Sequence, residues 1–291
     1  MESKAGLRGS RRKPRARTKV EALAADTAVP TNRAMLIGRD QDIEAVRDSI
    51  KRRKGLHIYG PKGVGKSALL DDLYQRWDDV GFTRVPIYCR NSVTLREILV
   101  FIAEALLVHS GPLTGTNKYL EPLEIRTASD IRTHCNRDLR NMIFPRIEQS
   151  DYCFILDQLD HISKGINAFL SSLHDRACVL TASRQSWVIG DYTFAGKIAY
   201  CLYLVPKLRV DNLKKKDALN LMQQLHKDRG MKLSDKVRVF NDIFHITQGN
   251  PKMIHDILEK AGKPEYIVDG KLNLNLIVID CRIDAVSAPA L

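Results

Sequence analysis

The sequence predicts an α/β fold, a parallel sheet sandwiched by helices and followed by a small helical lid domain, and three observations predict it. Short apolar runs of β character alternate with longer amphipathic segments from residue 34 to residue 206. A glycine-rich turn joins the first of these runs to the helix after it. Beyond Pro206 the strands stop and helical periodicity continues to about residue 263.

AMLIGRDQDIEAVRDSIKRR places Ile43, Val46 and Ile50 on one helical face, and GLHIY is a short strand. SALLDDLYQRW is a helix carrying Leu69, Leu70, Leu73 and Trp77. TRVPIYCR reads as the second strand and LREILVFIAEALLVH as a strongly apolar helix. Residues 110–128 hold turn formers without periodicity and predict a loop. Asp130 to Ile147 is helical, with Ile131, Leu139, Ile143 and Ile147 turned inward. Strand YCFILD, helix INAFLSSLH, strand CVLTAS and a last apolar run, AYCLYLV, complete the α/β domain. Three helices follow, LKKKDALNLMQQLHKDRG, SDKVRVFNDIFHITQ and PKMIHDILEKAG, the last with Pro251 in its first turn, where a missing N–H costs nothing. In KLNLNLIVIDCRID the alternation of Leu272, Leu274 and Leu276 predicts an edge strand. The resulting domains are a basic tail over 1–33, an α/β domain over 34–206, a helical lid over 207–263 and a C-terminal strand and tail over 264–291.

With 291 residues, 44% of them hydrophobic, the chain can bury a real core. The longest apolar runs, around Ile98 to Val108 and Leu276 to Ile279, are too short or too interrupted to span a bilayer. The basic N-terminus lacks the apolar centre of a signal peptide, so a cytoplasmic protein without a membrane partner is expected. Six cysteines show no C-x-x-C pair and no histidine cluster at zinc spacing, and read as reduced, buried side chains. Net charge is +12, and residues 1–33 carry nine Lys and Arg against three acids. That segment has almost no large apolar side chains to offset the entropy of folding, and disorder is expected there. It can bind nucleic acid or anionic surfaces in a salt-dependent way, or serve only to solubilise the chain.

The chemistry begins at GPKGVGKS, which fits G-x-x-x-x-G-K-[ST] after a strand and at the start of a helix. The loop of Gly60, Pro61, Lys62, Gly63, Val64, Gly65, Lys66, Ser67 and Ala68 would cradle the phosphates of ATP with the backbone N–H groups that its non-proline residues supply, helped by the helix N-terminus. Lys66 would reach the β- and γ-phosphates and the Ser67 hydroxyl would ligate Mg²⁺. Asp157, at the end of YCFILD, can hold the metal directly or through water; the plain alternative is a solvent-facing aspartate at a strand end.

These motifs resemble the AAA+ and STAND branch of P-loop ATPases, which includes initiator-type and archaeal-type ATPases and signalling switches. LIGRDQDI resembles the GR-E box of that group, which implies that Gly38 and Arg39 help to clasp adenine. VLTASR resembles its sensor-1 strand, which implies that Arg184 lies near the γ-phosphate, although alone it reads as an ordinary surface arginine. QGNP matches the Gly-x-Pro box through Gly249 and Pro251, and in an initiator-type alignment Lys252 falls where a sensor-2 arginine usually sits. The resemblance covers residues 34–262.

In this group the residue after the metal aspartate is commonly acidic, and here it is Gln158. Glutamine can orient water but cannot accept its proton, which predicts slow hydrolysis with Lys66, Asp157, Gln158 and Arg184 as the catalytic set. Asp160 could supply a carboxylate, though a buried or capping role suits its place beyond the strand end better. Two functions are open: a nucleotide-dependent switch acting on an unknown protein partner and on further copies of itself, or an ATP-dependent DNA-binding protein similar to initiator or transposon target-selection ATPases. A degenerate ATPase with a structural nucleotide is least compatible with intact Lys66, Ser67 and Asp157. Arg132, Arg137 and Arg146 are candidates to reach a neighbouring copy's site, and the sequence does not choose among them. His57 and His161 read as packing or surface residues.

Overall fold

The computed structural model describes residues 36–187, 201–231, 235–268 and 271–287, so the tail predicted over 1–33 lies outside the described residues. Helix α1 (Asp40–Lys51) buries Val46 and Ile50 and carries Asp40 and Asp42 at its positive end. Strand β1 (Leu56–Tyr59) leads to helix α2 (Lys66–Gln75), β2 (Val85–Cys89) and the long α3 (Leu95–Ser110). Thr94 and Glu97 form a reciprocal capping box that starts α3.

The sequence predicts a loop over 110–128, but a hairpin of β3 (Leu113–Thr116) and β4 (Pro122–Ile125) stands there, anchored by buried Leu113 and Ile125. Four-residue strands rich in Thr, Gly and Pro are too short to show alternation. The helix expected from Asp130 to Ile147 is divided into α4 (Ala128–Thr133) and α5 (Asn136–Glu148). Arg96 explains the break, because its guanidinium donates to the carbonyls of Ile131, Arg132 and His134 that end α4. All four predicted apolar positions in this stretch are buried.

Strand β5 (Tyr152–Leu156), helix α6 (Lys164–His174) and strand β6 (Cys178–Ser183) follow. The sheet has five strands in the order β2, β5, β6, β1, β7, all parallel. Central β5 shows why its sequence is unbroken apolar. Tyr152, Phe154 and Leu156 enter the core beneath α3, α5 and α6, while Cys153 and Ile155 enter the core beneath α1 and α2.

The fifth strand lies beyond Pro206, where the strands were expected to stop. AYCLYLV does not supply it: residues 199 and 200 lie outside the described residues, and Cys201–Tyr203 forms a 3₁₀ turn that buries Leu202. The edge strand is β7 (Lys207–Arg209), after Pro206, paired to β1. A short apolar run cannot be told from a buried turn by composition, and three residues carry no periodicity.

The lid comprises α7 (Lys215–Asp228), α8 (Lys236–Thr247) and α9 (Pro251–Ala261) around their own apolar cluster. The edge strand expected after it is corrected to a two-residue hairpin, β8 (Ile267–Val268) with β9 (Lys271–Leu272), and a helix, α10 (Leu274–Ser287). Asn273 caps this helix by accepting from Leu276 N, and Ile277, Val278 and Cys281 pack at helical spacing on the lid. The leucine alternation straddles the hairpin and the first turn of the helix. No helix among the described residues is long and apolar enough to cross a membrane. The six cysteines are free thiols, with Cys135 exposed instead of buried.

Candidate functional site

The turn between β1 and α2 brings Gly60 to Ser67 to the C-terminal edge of the sheet. Gly63 is required there on two counts: its φ is +86°, and a Cβ would stand 2.6 Å from Asn250 Oδ1 and 3.0 Å from Lys252 Cβ. The Lys66 ammonium folds over the loop and donates to the carbonyls of Gly60 at 2.7 Å and Pro61 at 3.0 Å. Burial draws it below the usual lysine range, while Asp157 and Asp160 oppose that shift and Arg184 adds to it. Lys66, Asp157, Asp160 and Arg184 therefore share one electrostatic environment.

Asp157 follows β5 and is 3% exposed. Its carboxylate accepts from the Ser67 hydroxyl, from Gln158 N at 2.8 Å and from the Tyr88 hydroxyl at 3.4 Å. Burial raises this carboxyl, and the bonds from Ser67 and Gln158 and the charge of Lys66 hold the shift back. A hydroxyl and a buried carboxylate in contact form an all-oxygen set suited to a small hard cation, so Ser67 and Asp157 fit Mg²⁺. Around them stands a group that the sequence reading missed. The Tyr88 hydroxyl also bonds Asp71, which pairs with Arg90, whose guanidinium lies 4.8 Å over the Tyr88 ring. No motif signals these three residues; the pairing of β2 with β5 brings Tyr88 and Arg90 beside Asp157, and helix α2 supplies Asp71.

Gln158 is exposed and takes the left-handed conformation, with φ +57°. Its N–H turns back to Asp157, and Leu159 N then donates to Ala182 O at 2.8 Å, carrying the ladder past the turn. Asp160 is neither buried nor a helix cap: it accepts from Arg184 N and Arg184 Nε, each at 2.6 Å. Arg184 thus lies close enough to Lys66 to act on its charge, with its guanidinium held by a carboxylate.

The lid closes the other side of the loop. Arg39 is 6% exposed and donates to Val64 O at 2.7 Å and Asp211 O at 2.6 Å, tying the phosphate loop to the segment that enters the lid. Gly38 packs against Asp217 of α7, where a Cβ would lie 2.7 Å from its carboxyl carbon. Pro251 is buried as the first residue of α9, and its neighbours touch the loop: Asn250 Nδ2 donates to Lys62 O at 3.0 Å and Lys252 N to Gly63 O at 3.1 Å. The sequence marks Pro251 as a helix start, while Asn250 before it, and its reach to the loop, went unread. His57 is a packing residue, bonded to Thr181 Oγ1 and Gln185 O, and burial lowers it to about 4.

No curated protein matches the chain. Two solved structures share its fold. The Orc1 protein of Aeropyrum pernix, solved in complex with DNA, aligns over 87% of this chain and 67% of its own with TM-score 0.59 and 16% identity. A Walker-type ATPase of Pyrococcus abyssi aligns over 89% of this chain and 78% of its own with TM-score 0.56 and 12% identity. The model of the AAA ATPase domain matches residues 35–188, just over half of the chain. With that match laid over a glycine-rich phosphate loop, its lysine and serine, and a buried strand-end aspartate, the chain belongs to the AAA ATPase domain family of nucleotide-binding ATPases.

Proposed function

We propose that the chain is an ATP-dependent switch that binds MgATP between its α/β and lid domains and hydrolyses it slowly. Ser67 and Asp157 would hold Mg²⁺, Lys66 would neutralise the β- and γ-phosphates, and Arg184 would sense the γ-phosphate. Mg²⁺ held by Ser67 and Asp157 would supply positive charge to offset the charge that develops on the phosphates. Gln158 carries the reading: the position that would polarise the attacking water has an exposed carboxamide, which can orient water but not take its proton. The alternative carboxylate, Asp160, is engaged by Arg184. The order of LIGRDQDI, the phosphate loop, Asp157, VLTASR and QGNP supports a STAND-like or archaeal-type switch, one that acts on a protein partner or on further copies of itself.

Protease protection of residues 207–263 under MgATP and MgADP tests the switch. We expect MgATP to protect the lid and MgADP to protect it less. Identical cleavage in the two states would contradict it.

One observation favours a second reading, ATP-dependent DNA binding. Residues 207–263 hold thirteen Lys and Arg against seven acids, and Lys214, Lys215 and Lys216 are consecutive and exposed where α7 begins. Binding that needs ATP and weakens steeply with salt would support it, and no binding to duplex DNA at low salt would exclude it.

A further inference from the structure

We infer that Asn250 is a positioning residue through which the lid holds the phosphate loop in its anion-binding shape, so that loop and lid respond together to nucleotide. The inference rests on the switch reading above and names the contact that would carry it.

Three consecutive peptide units of the loop have their carbonyls held from outside. Lys62 O accepts from Asn250 Nδ2 at 3.0 Å, Gly63 O from Lys252 N at 3.1 Å, and Val64 O from Arg39 Nη2 at 2.7 Å. Peptide units are planar, so fixing a carbonyl also fixes the N–H on the opposite side of the same unit. These units carry the N–H groups of Gly63, Val64 and Gly65, part of the set that a phosphate loop turns toward its anion. Two of the three clamps come from the start of α9. The third, Arg39, also grips Asp211 O in the segment that leads to the lid.

Asn250 is built into this place. It is 7% exposed, and its two side-chain atoms divide the work: Oδ1 accepts from Met253 N at 3.2 Å and caps α9, while Nδ2 faces the loop. Nδ2 also stands 3.4 Å from Asn212 Oδ1 in the entering segment. Gly249, at φ +78°, permits the approach, since a Cβ there would overlap the Leu213 carbonyl, and Leu213 N donates to Gly249 O at 2.9 Å. An anion that draws the loop's N–H groups inward therefore acts on carbonyls that the lid already holds. A displaced lid leaves them free. Coupling of this kind is reciprocal: nucleotide tightens the lid, and the lid tightens nucleotide.

Asn250→Asp and Asn250→Ser separate this role from capping. Both keep an oxygen that can cap α9. Aspartate puts an acceptor against Lys62 O, and serine cannot reach it. The measurements are affinity for a fluorescent ATP analogue with Mg²⁺ and MgATP-dependent protease protection of the lid, in the full chain. We expect both variants to bind about tenfold more weakly, the effect of losing one buried hydrogen bond, and to lose the MgATP-dependent protection. Wild-type affinity and protection in Asn250→Ser would overturn the inference, whether or not Asn250→Asp folds. Should the wild-type lid show no nucleotide-dependent protection, the switch reading fails. Affinity then still decides the positioning role: a tenfold loss supports it and an unchanged value overturns it.

Discussion

In the proposed site two neighbouring residues, Asp157 and Gln158, would divide metal binding from chemistry. Asp157 is buried among donors, and Gln158 turns outward in a left-handed conformation. The phosphate-loop residues were legible because their motif has fixed spacing, while the Tyr88, Asp71 and Arg90 group depends on the packing of β2 and α2 beside β5, which spacing does not encode. We expect Lys66→Ala to lower ATP affinity at least tenfold in a binding titration, because it removes the charge placed for the β- and γ-phosphates. His57 gives a pH dependence. Burial holds its folded value near 4, below the 6.5 of an exposed histidine, so between these values the unfolded chain binds the extra proton. Stability is full above about pH 6.5 and declines as pH falls toward 4. His174, held near 4 by burial, adds to the same trend. Urea midpoints should therefore be lower at pH 5 than at pH 7.5, and His57→Gln should reduce the difference.

Among the elements, long ones with clear periodicity were readable and short ones were not. Strand β5 announced itself because both of its faces are buried; Phe154→Ala should cost about 3–5 kcal/mol in denaturant unfolding. Edge strand β7 has three residues, two of them basic, and nothing in its composition marks it. The β3–β4 hairpin was hidden by Gly, Pro and Thr, and the break between α4 and α5 is made by Arg96, more than thirty residues upstream. Helix α10 was misread because apolar residues on both of its faces blur the helical period. The start of α9 shows the reverse case. Pro251 was a plain helix-start signal, and the asparagine before it reaches a loop 188 residues away in sequence.

For the whole molecule, the sheet and the lid enclose one phosphate loop from two sides, and charge is divided unevenly around it. Residues 1–33 and 207–263 together carry the equivalent of the whole net charge of +12, with Lys207 and Arg209 of edge strand β7 among the second group. The change from strand to helix periodicity near Pro206 is visible in the sequence, whereas the closeness of lid and loop is a tertiary fact. Ligand that binds only the folded, closed chain stabilises it by mass action, so MgATP at about 100 times its Kd should add about 2.7 kcal/mol to unfolding. A chelator should remove most of that gain if Ser67 and Asp157 hold the metal. The most direct test of slow hydrolysis is single-turnover cleavage of bound MgATP by the native chain and by Gln158→Glu. We expect tight binding in both, slow cleavage in the native chain and cleavage at least about a hundredfold faster in Gln158→Glu, the scale of a restored general base. Brisk native cleavage that Gln158→Glu leaves unchanged would contradict the switch and show that another residue supplies the base.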